Sequence, residues 1–221
     1  MHFKPKALLF DLNGTMIDDM DYHNKAWYQI LNDDLNANIS YEEVKKQMYG
    51  KNDELLKRVF GDDYFTQEQL DEISIKKEKI YQLGYAQDLS LIAGLGQFLI
   101  NAEKSGMLMA IGSAAIPFNI DFVLDGLNIR SYFKAIVSAN DVETSKPNPE
   151  TFLKGAEALG VQPEDCLVLE DAPKGVEAAL RANMKCIVLS TAHNAEEFLN
   201  YPNVLKVVSD YTDPIFTDLI D

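Results

Sequence analysis

The stretch from Lys6 to Asp18, KALLFDLNGTMID, constrains the fold more than any other part of the sequence. Its apolar run Ala7–Phe10 is short enough for a strand buried on both faces, and the run ends at a carboxylate, Asp11. Gly14 follows where a chain that leaves a strand must turn tightly, and the Thr15 hydroxyl can tie down the loop. Taken alone, the stretch is equally consistent with a ligand-binding sheet edge and with an ordinary strand that ends in a turn.

Two further apolar runs end in polar side chains in the same way. Met107–Ile111 is followed by a glycine and then by Ser113. Cys166–Leu169 is followed directly by the adjacent acids Glu170 and Asp171. The carboxyl ends of parallel strands lie at one edge of a sheet, where ligands bind in open α/β folds. The three runs therefore predict a cluster of oxygen-bearing side chains at a single edge.

A fourth segment, Ser145–Pro149, places Lys146 just ahead of a predicted helix whose start is fixed by proline. The order and spacing of the four motifs resemble the haloacid dehalogenase superfamily, and within it the branch of β-phosphoglucomutase-like phosphatases and phosphomutases. Those enzymes use an aspartate nucleophile, a Ser or Thr, a Lys and a terminal acidic pair. The resemblance covers nearly the whole chain.

Residues 19–86 differ from the rest because their apolar residues recur at helical spacing, and Thr66 with Gln69 forms a capping-box pattern. From Leu91 onward strands and helices alternate, which predicts parallel pairing with right-handed crossovers. The predicted fold class is α/β, with a Rossmann-like parallel-sheet core and an inserted all-helical cap domain. The core is expected to comprise residues 1–18 and 87–221, and the cap residues 19–86.

The composition excludes some partners. A net charge of -15, from 35 acidic and 20 basic residues, argues against binding to a nucleic-acid backbone. The sequence shows no apolar run of membrane-spanning length and no signal-peptide core in MHFKPK, so we expect a soluble cytoplasmic protein without a membrane partner. In a reducing compartment Cys166 and Cys186 are expected to be buried thiols, and we expect a monomer.

The resemblance implies a mechanism for a small phosphorylated metabolite. Asp11 would attack phosphorus to form an aspartyl-phosphate, and Lys146 would neutralise charge on the transferring group. Taken singly, Lys146 reads more readily as a solvated loop lysine and the acid pair as a helix cap; the ordered combination favours a site. The resemblance assigns Mg²⁺ to Asp11, the main-chain carbonyl of Asn13, Glu170 and Asp171, and phosphate contacts to Gly14, Thr15, Ser113 and Ala114.

Asn13 departs from the pattern of the family. Its phosphatases and phosphomutases carry an aspartate two residues after the nucleophile, which protonates the leaving oxygen and then deprotonates the incoming hydroxyl. An amide can do neither, so the sequence predicts impaired turnover with metal binding retained. Three explanations remain open: an engineered change, a natural feature of a slow or altered enzyme, or a phosphometabolite-binding protein that does not turn over.

The resemblance also implies substrate contacts from the cap, at His23, Lys51 and Lys77. Asp53 stands where the mutase has an arginine that clamps a second phosphate, and an aspartate there would repel that phosphate. A mutase must hold a bisphosphorylated intermediate, so we expect a phosphatase acting on a compound such as a sugar phosphate. The alternatives are a β-phosphoglucomutase, with Lys51 as the distal anion contact, and a non-catalytic binder.

Overall fold

A computed structural model describes residues 3–220 of the chain. These residues form helices and parallel strands in an alternating order, apart from a purely helical stretch near the amino terminus. The elements in chain order are β1 (Ala7–Phe10), α1 (Met20–Gln29), α2 (Tyr41–Lys46), α3 (Asn52–Phe60), α4 (Gln67–Tyr85), α5 (Leu95–Lys104), β2 (Leu108–Gly112), α6 (Pro117–Gly126), β3 (Ala135–Val137), α7 (Glu150–Leu159), β4 (Cys166–Glu170), α8 (Pro173–Arg181), β5 (Lys185–Leu189), β6 (Val204–Val208) and α9 (Ile215–Asp218).

The chain divides into two compact units. One contains the sheet and consists of the chain up to Asp18 and from Ser90 onward, and the other is the helical unit Asp19–Leu89. The helical unit extends three residues beyond the segment predicted from the sequence, 19–86. The extension has a local cause, because Asp88 donates its main-chain N–H to the Tyr85 carbonyl at 2.9 Å and accepts a hydrogen bond from the Tyr22 hydroxyl at 2.7 Å.

The sheet has the strand order β3-β2-β1-β4-β5-β6, and all of its pairs are parallel. This confirms the predicted Rossmann-like α/β fold. β1 lies in the middle, where Phe10 pairs with Ile111 of β2 and with Leu169 of β4. Strands β2 and β3 extend the sheet on one side of β1, and β4, β5 and β6 extend it on the other side, so the direction of the strand order reverses at β4. Ligands of open α/β sheets bind at such a reversal.

Helices cover both faces of the sheet. Leu9 of β1 belongs to a core cluster with Phe152 and Ala156 of α7 and Val176 of α8. Phe10 points to the opposite face, because successive strand residues alternate, and its ring lies 6.4 Å from the ring of Phe98 in α5. Burial on both faces explains why β1 reads as an uninterrupted apolar run.

The helical unit has its own core, which includes Trp27, Leu31, Val44 and Leu56. The predicted capping box is confirmed at the start of α4, since Thr66 Oγ1 accepts the Gln69 N–H at 3.3 Å and the Gln69 side chain accepts the Thr66 N–H at 2.9 Å. Both cysteines of the chain are buried free thiols, as predicted. Among the helices of residues 3–220, none is both long and apolar enough to cross a membrane.

Candidate active site

The carboxyl ends of β1 and β4 are joined by a lysine. Asp11 follows β1 directly, and its main-chain N–H donates to the carbonyl of Leu169 in β4 at 2.9 Å, which continues the sheet pairing by one residue. Lys146 reaches this point from the loop before α7 and donates to Asp11 Oδ1 at 2.7 Å and to Glu170 Oε1 at 2.8 Å. Three residues that the sequence singled out are therefore in direct contact.

Lys146 is a buried ammonium and not a solvated loop lysine. Its Nζ lies 4.4 Å from the centre of the Phe152 ring, on the side of α7 that packs against the sheet. Burial alone would lower the pKa of Lys146, but the charges of Asp11 and Glu170 and their hydrogen bonds outweigh it and hold this pKa above its ordinary value. The lysine therefore carries a positive charge at neutral pH.

Glu170 has two structural tasks at once. One of its oxygens binds Lys146, while Oε2 accepts the main-chain N–H groups of Asp171 and Ala172, each at 2.8 Å, at the start of α8. One oxygen of Glu170 thus fixes the turn that precedes α8 and the other binds Lys146, while its role as a metal ligand stays a prediction. Gly175 leaves room for the carboxylate, because a Cβ at that position would collide with it.

A cluster of three buried carboxylates lies around Lys146. Asp11, Glu170 and Asp171 each offer an oxygen, and these oxygens all lie within 4.8 Å of one another. Gly14, with φ of +75°, borders the cluster, since a Cβ there would collide with the Asp171 carboxylate. Three like charges against one ammonium leave an excess of negative charge, and carboxylate oxygens are hard ligands. The donor set therefore fits a divalent cation such as Mg²⁺.

Asn13 lies in the tight turn that joins β1 to the rest of the chain, residues 12–17. Within the turn Met16 donates its N–H to the Leu12 carbonyl at 2.8 Å, and Gly14 donates to the Ile17 carbonyl at 2.8 Å. The Thr15 hydroxyl donates to Asp171 Oδ1 at 3.3 Å, so the turn is tied to the carboxylate cluster, as the Thr15 position suggested. The part played by the Asn13 carbonyl and amide stays a prediction.

Ser113 and Ala114 follow β2 at the same edge of the sheet. The Ser113 N–H donates to the Val137 carbonyl of β3 at 2.9 Å, and its hydroxyl oxygen accepts the Ala115 N–H at 3.0 Å. The buried hydroxyl therefore shapes its own turn. Contact of Ser113 and Ala114 with a phosphoryl group stays a prediction.

Two residues that the sequence did not single out hold the turn at 12–17. Thr191 Oγ1 donates to the Gly14 carbonyl at 2.5 Å, and the buried Tyr211 hydroxyl donates to the Thr15 carbonyl at 3.0 Å. Both follow strands, β5 and β6. The rule that selected Ser113, a polar side chain just past a strand end, would also have selected Thr191; an isolated tyrosine gives no such signal.

In the helical unit, His23 and Lys77 form a buried pair. Lys77 Nζ lies 2.6 Å from His23 Nδ1, and His23 Nε2 lies 3.2 Å from Asp19 Oδ2, which also accepts the Tyr81 hydroxyl at 2.6 Å. An ammonium can only donate, so it assigns the acceptor role to Nδ1 and leaves the imidazole proton on Nε2, facing Asp19. His23 and Lys77, predicted from separate motifs, are thus brought together.

Glu78 is a further member of this group that sequence reasoning missed. Its carboxylate binds Lys77 Nζ at 3.0 and 3.1 Å and accepts the Asn52 side-chain N–H at 2.7 Å. Burial lowers the pKa of Lys77, although Glu78 opposes the shift. The neighbouring Lys76 and Lys79 are exposed, which distinguishes Lys77 from both.

Lys51 lies at the start of α3, where a side chain of the same helix holds its main chain. Its main-chain N–H donates to Glu54 Oε2 at 3.0 Å. The Arg58 guanidinium fixes the preceding residues by donating to the Tyr49 carbonyl at 2.8 Å and covering the Tyr49 ring at 3.8 Å. Asp53 is paired with Lys57 at 2.8 Å, so the repulsion of a second phosphate predicted from Asp53 is weakened by a neighbouring cation.

The fold and the site together define a class of protein: a Rossmann-like α/β protein with a buried Asp–Lys pair and an acidic cluster at the point where the strand order reverses. The profile of the haloacid dehalogenase-like hydrolase family matches residues 8–189. The chain belongs to this family.

Relatives with stated activities cover almost the whole chain. Fructose-1-phosphate phosphatase YqaB of Escherichia coli is 28% identical over 192 residues, which cover 85% of this chain and 97% of that protein. β-Phosphoglucomutase of Bacillus subtilis is 28% identical over 215 residues, which cover 94% and 92%. Among solved structures, a haloacid dehalogenase hydrolase of Entamoeba histolytica superposes with a TM-score of 0.85 at 23% identity, over 97% of this chain and 99% of that one.

Proposed function

We propose that this protein is a Mg²⁺-dependent phosphatase that acts on a small phosphorylated metabolite, such as a sugar phosphate, through an aspartyl-phosphate at Asp11. One observation carries the proposal: Asp11 is ion-paired with Lys146 and lies in a buried cluster with Glu170 and Asp171. The relation to a fructose-1-phosphate phosphatase supports the substrate class. The helical unit would act as the cap and supply His23, Lys51 and Lys77 as substrate contacts.

The reaction divides between two displacements at phosphorus. In the first, an Asp11 carboxylate oxygen forms a bond to phosphorus while the bond to the alcohol oxygen of the substrate breaks. In the second, water attacks the same phosphorus, the aspartyl bond breaks, and inorganic phosphate leaves. Lys146 stabilises the negative charge of the transferring group in both displacements, and Ser113 with the Ala114 N–H would donate hydrogen bonds to its oxygens.

Mg²⁺ would be held by Asp11, the carbonyl of Asn13, Glu170 and Asp171. When bound, it would reduce the repulsion between the Asp11 carboxylate and the anionic phosphoryl group. Asn13 cannot donate a proton to the leaving alcohol or accept one from water, so both displacements depend on solvent for proton transfer. We therefore propose slow turnover, with binding of substrate and metal retained.

A panel of phosphate esters tests this proposal. We expect slow release of inorganic phosphate from fructose 1-phosphate or glucose phosphates with Mg²⁺, none with EDTA, and none from the Asp11→Asn variant. The matched control is Asp18→Asn, which removes an exposed acid outside the site and should retain activity. Release that persists unchanged in Asp11→Asn would contradict the proposal.

A β-phosphoglucomutase is the second candidate. The relation to the B. subtilis mutase and the cation Lys51 at the start of α3 favour it. A mutase would interconvert glucose 1-phosphate and glucose 6-phosphate without net phosphate loss, whereas a phosphatase would release phosphate from either compound. Binding without either reaction would identify a phosphometabolite-binding protein.

Metal binding has a consequence for stability. We expect Mg²⁺ at about 100 times its dissociation constant to stabilise the fold by about 2.7 kcal/mol, and to raise the melting temperature by roughly 5 to 10 °C. EDTA should reverse the shift, and Asp171→Asn should abolish most of it. Asp121→Asn, which removes a surface partner of Arg130, should keep it. An equal Mg²⁺ response in both variants would exclude Asp171 as a ligand.

A further inference from the structure

Three successive carbonyls of the turn at 12–17 accept hydrogen bonds from three distant segments. The carbonyl of Gly14 is bound by the Thr191 hydroxyl at 2.5 Å, that of Thr15 by the Tyr211 hydroxyl at 3.0 Å, and that of Met16 by the Ile92 N–H at 2.9 Å. The hydrogen bonds within the turn fix its curvature. These three contacts add anchors outside the turn, which fix how its peptide planes face the sheet edge.

The two hydroxyl donors come from segments that the sheet itself positions. Thr191 lies just past β5, where the Ser190 N–H donates to the Val208 carbonyl at 2.8 Å and thereby joins the ends of β5 and β6. Tyr211 lies just past β6, donates its main-chain N–H to the Ala93 carbonyl at 3.0 Å, and packs its ring 4.6 Å from that of Phe216. Main-chain hydrogen bonds at Ser190 and at Tyr211 therefore hold the segments that carry the two hydroxyls.

The Tyr211 hydroxyl is held in its donor form. Burial raises the pKa of Tyr211 well above its usual range, and the negative charges of Asp11 and Asp171 raise it further. The hydrogen bond from Thr15 Oγ1 to Asp171 Oδ1 ties the anchored turn to the carboxylate cluster.

We propose that Thr191 and Tyr211 are positioning residues for the cation site: their hydroxyls fix the peptide planes after Asn13, and so aim its carbonyl and the Asp171 carboxylate at one cation. This inference rests on the proposed Mg²⁺-dependent function. Each hydroxyl donates to a main-chain carbonyl of the turn, and each therefore acts on the cation site through the turn. Outer contacts of this kind orient metal ligands, and their loss typically weakens metal binding by about 10- to 100-fold.

Two substitutions remove the hydroxyls with little change of shape. In Thr191→Val and Tyr211→Phe we expect the Mg²⁺ dissociation constant, measured by titration calorimetry, to rise about tenfold in each variant. At saturating Mg²⁺ the KM for a phosphate ester should match that of the parent chain, because Lys146, Ser113 and the Ala114 N–H, which contact the phosphoryl group in the proposed function, are unchanged. Raising the Mg²⁺ concentration should then restore phosphate release.

Matched controls separate positioning from general destabilisation. Tyr201→Phe and Thr217→Val remove hydroxyls of the same two residue types elsewhere in the sheet-containing unit, and should leave Mg²⁺ binding unchanged. A purely structural role for Thr191 and Tyr211 predicts a lower melting temperature in EDTA with an unchanged Mg²⁺ dissociation constant, and that result would overturn the inference. If the parent chain binds no Mg²⁺, the metal-dependent function falls as well; if the parent binds it and both variants bind it equally, only the positioning role falls.

Discussion

Replacing Asn13 with aspartate is expected to raise the rate of phosphate release by about 10²- to 10⁴-fold, which corresponds to roughly 3 to 5 kcal/mol of activation free energy. The substitution restores a group that can protonate the leaving alcohol oxygen and then accept a proton from the attacking water. Steady-state phosphate release by Asn13→Asp and the parent chain, each at saturating Mg²⁺, measures the effect.

A second Asn→Asp change controls for added charge. Asn140 is exposed in the loop after β3, and Asn140→Asp should leave the rate unchanged. Rescue at position 13 alone would establish that the chain is a phosphatase whose turnover is limited by a missing acid. If neither Asn13→Asp nor the parent releases phosphate from any ester, the phosphatase proposal fails. Interconversion of the glucose phosphates would then identify a mutase, and binding without either reaction would identify a binder.

Replacing Lys146 with methionine is expected to destabilise the fold by about 3 to 5 kcal/mol in EDTA, because the change leaves Asp11 and Glu170 as buried carboxylates without their shared cation. Methionine keeps an unbranched apolar side chain that lacks only the terminal ammonium position, so the effect reports the loss of the charge and its hydrogen bonds. Phosphate release should fall by at least about 10²-fold, the loss typical for one group that stabilises a developing charge. Urea unfolding with and without Mg²⁺ measures the stability.

The metal supplies an internal check on this prediction. Because a divalent cation can take over part of the compensation, Mg²⁺ should stabilise Lys146→Met more than it stabilises the parent chain. The control Lys154→Met removes a surface lysine paired with Glu150 at 2.7 Å and should change stability by no more than about 0.5 kcal/mol. Equal stabilities of the two variants in EDTA would contradict the role of Lys146 as the counter-charge of the cluster.

Much of the fold could be predicted from local pattern. The strands at Ala7–Phe10 and Cys166–Glu170 lie where the apolar runs placed them, since a short run buried on both faces has few other uses. The convergence of Asp11, Glu170 and Asp171 followed from the rule that parallel strand ends share an edge, whereas Lys146, which precedes a helix, was assigned by the resemblance of the ordered motifs to the family. Physical reasoning from the sequence therefore reached the contacts that depend on strand direction alone.

The remaining contacts depend on tertiary geometry that no local pattern encodes. Whether Lys77 faces solvent or His23 is decided by which side of α4 packs inward, and three lysines within four residues gave the sequence no means of choosing. Glu78 could not be recognised as its partner for the same reason. Tyr211 contacts the turn because the loop after β6 brings its hydroxyl to the Thr15 carbonyl, a contact between segments far apart in the sequence.

The central place of β1 has a consequence for biosynthesis. The two strands that flank β1 are made well after it, since Phe10 pairs with Ile111 and with Leu169. Contacts between residues so far apart along the chain form slowly, because the loop between them must first close. The proposed nucleophile Asp11 therefore acquires its neighbours only after β2, Lys146 and β4 have been made, and a nascent chain that stops before Glu170 has Asp11 without the two carboxylates of the cluster.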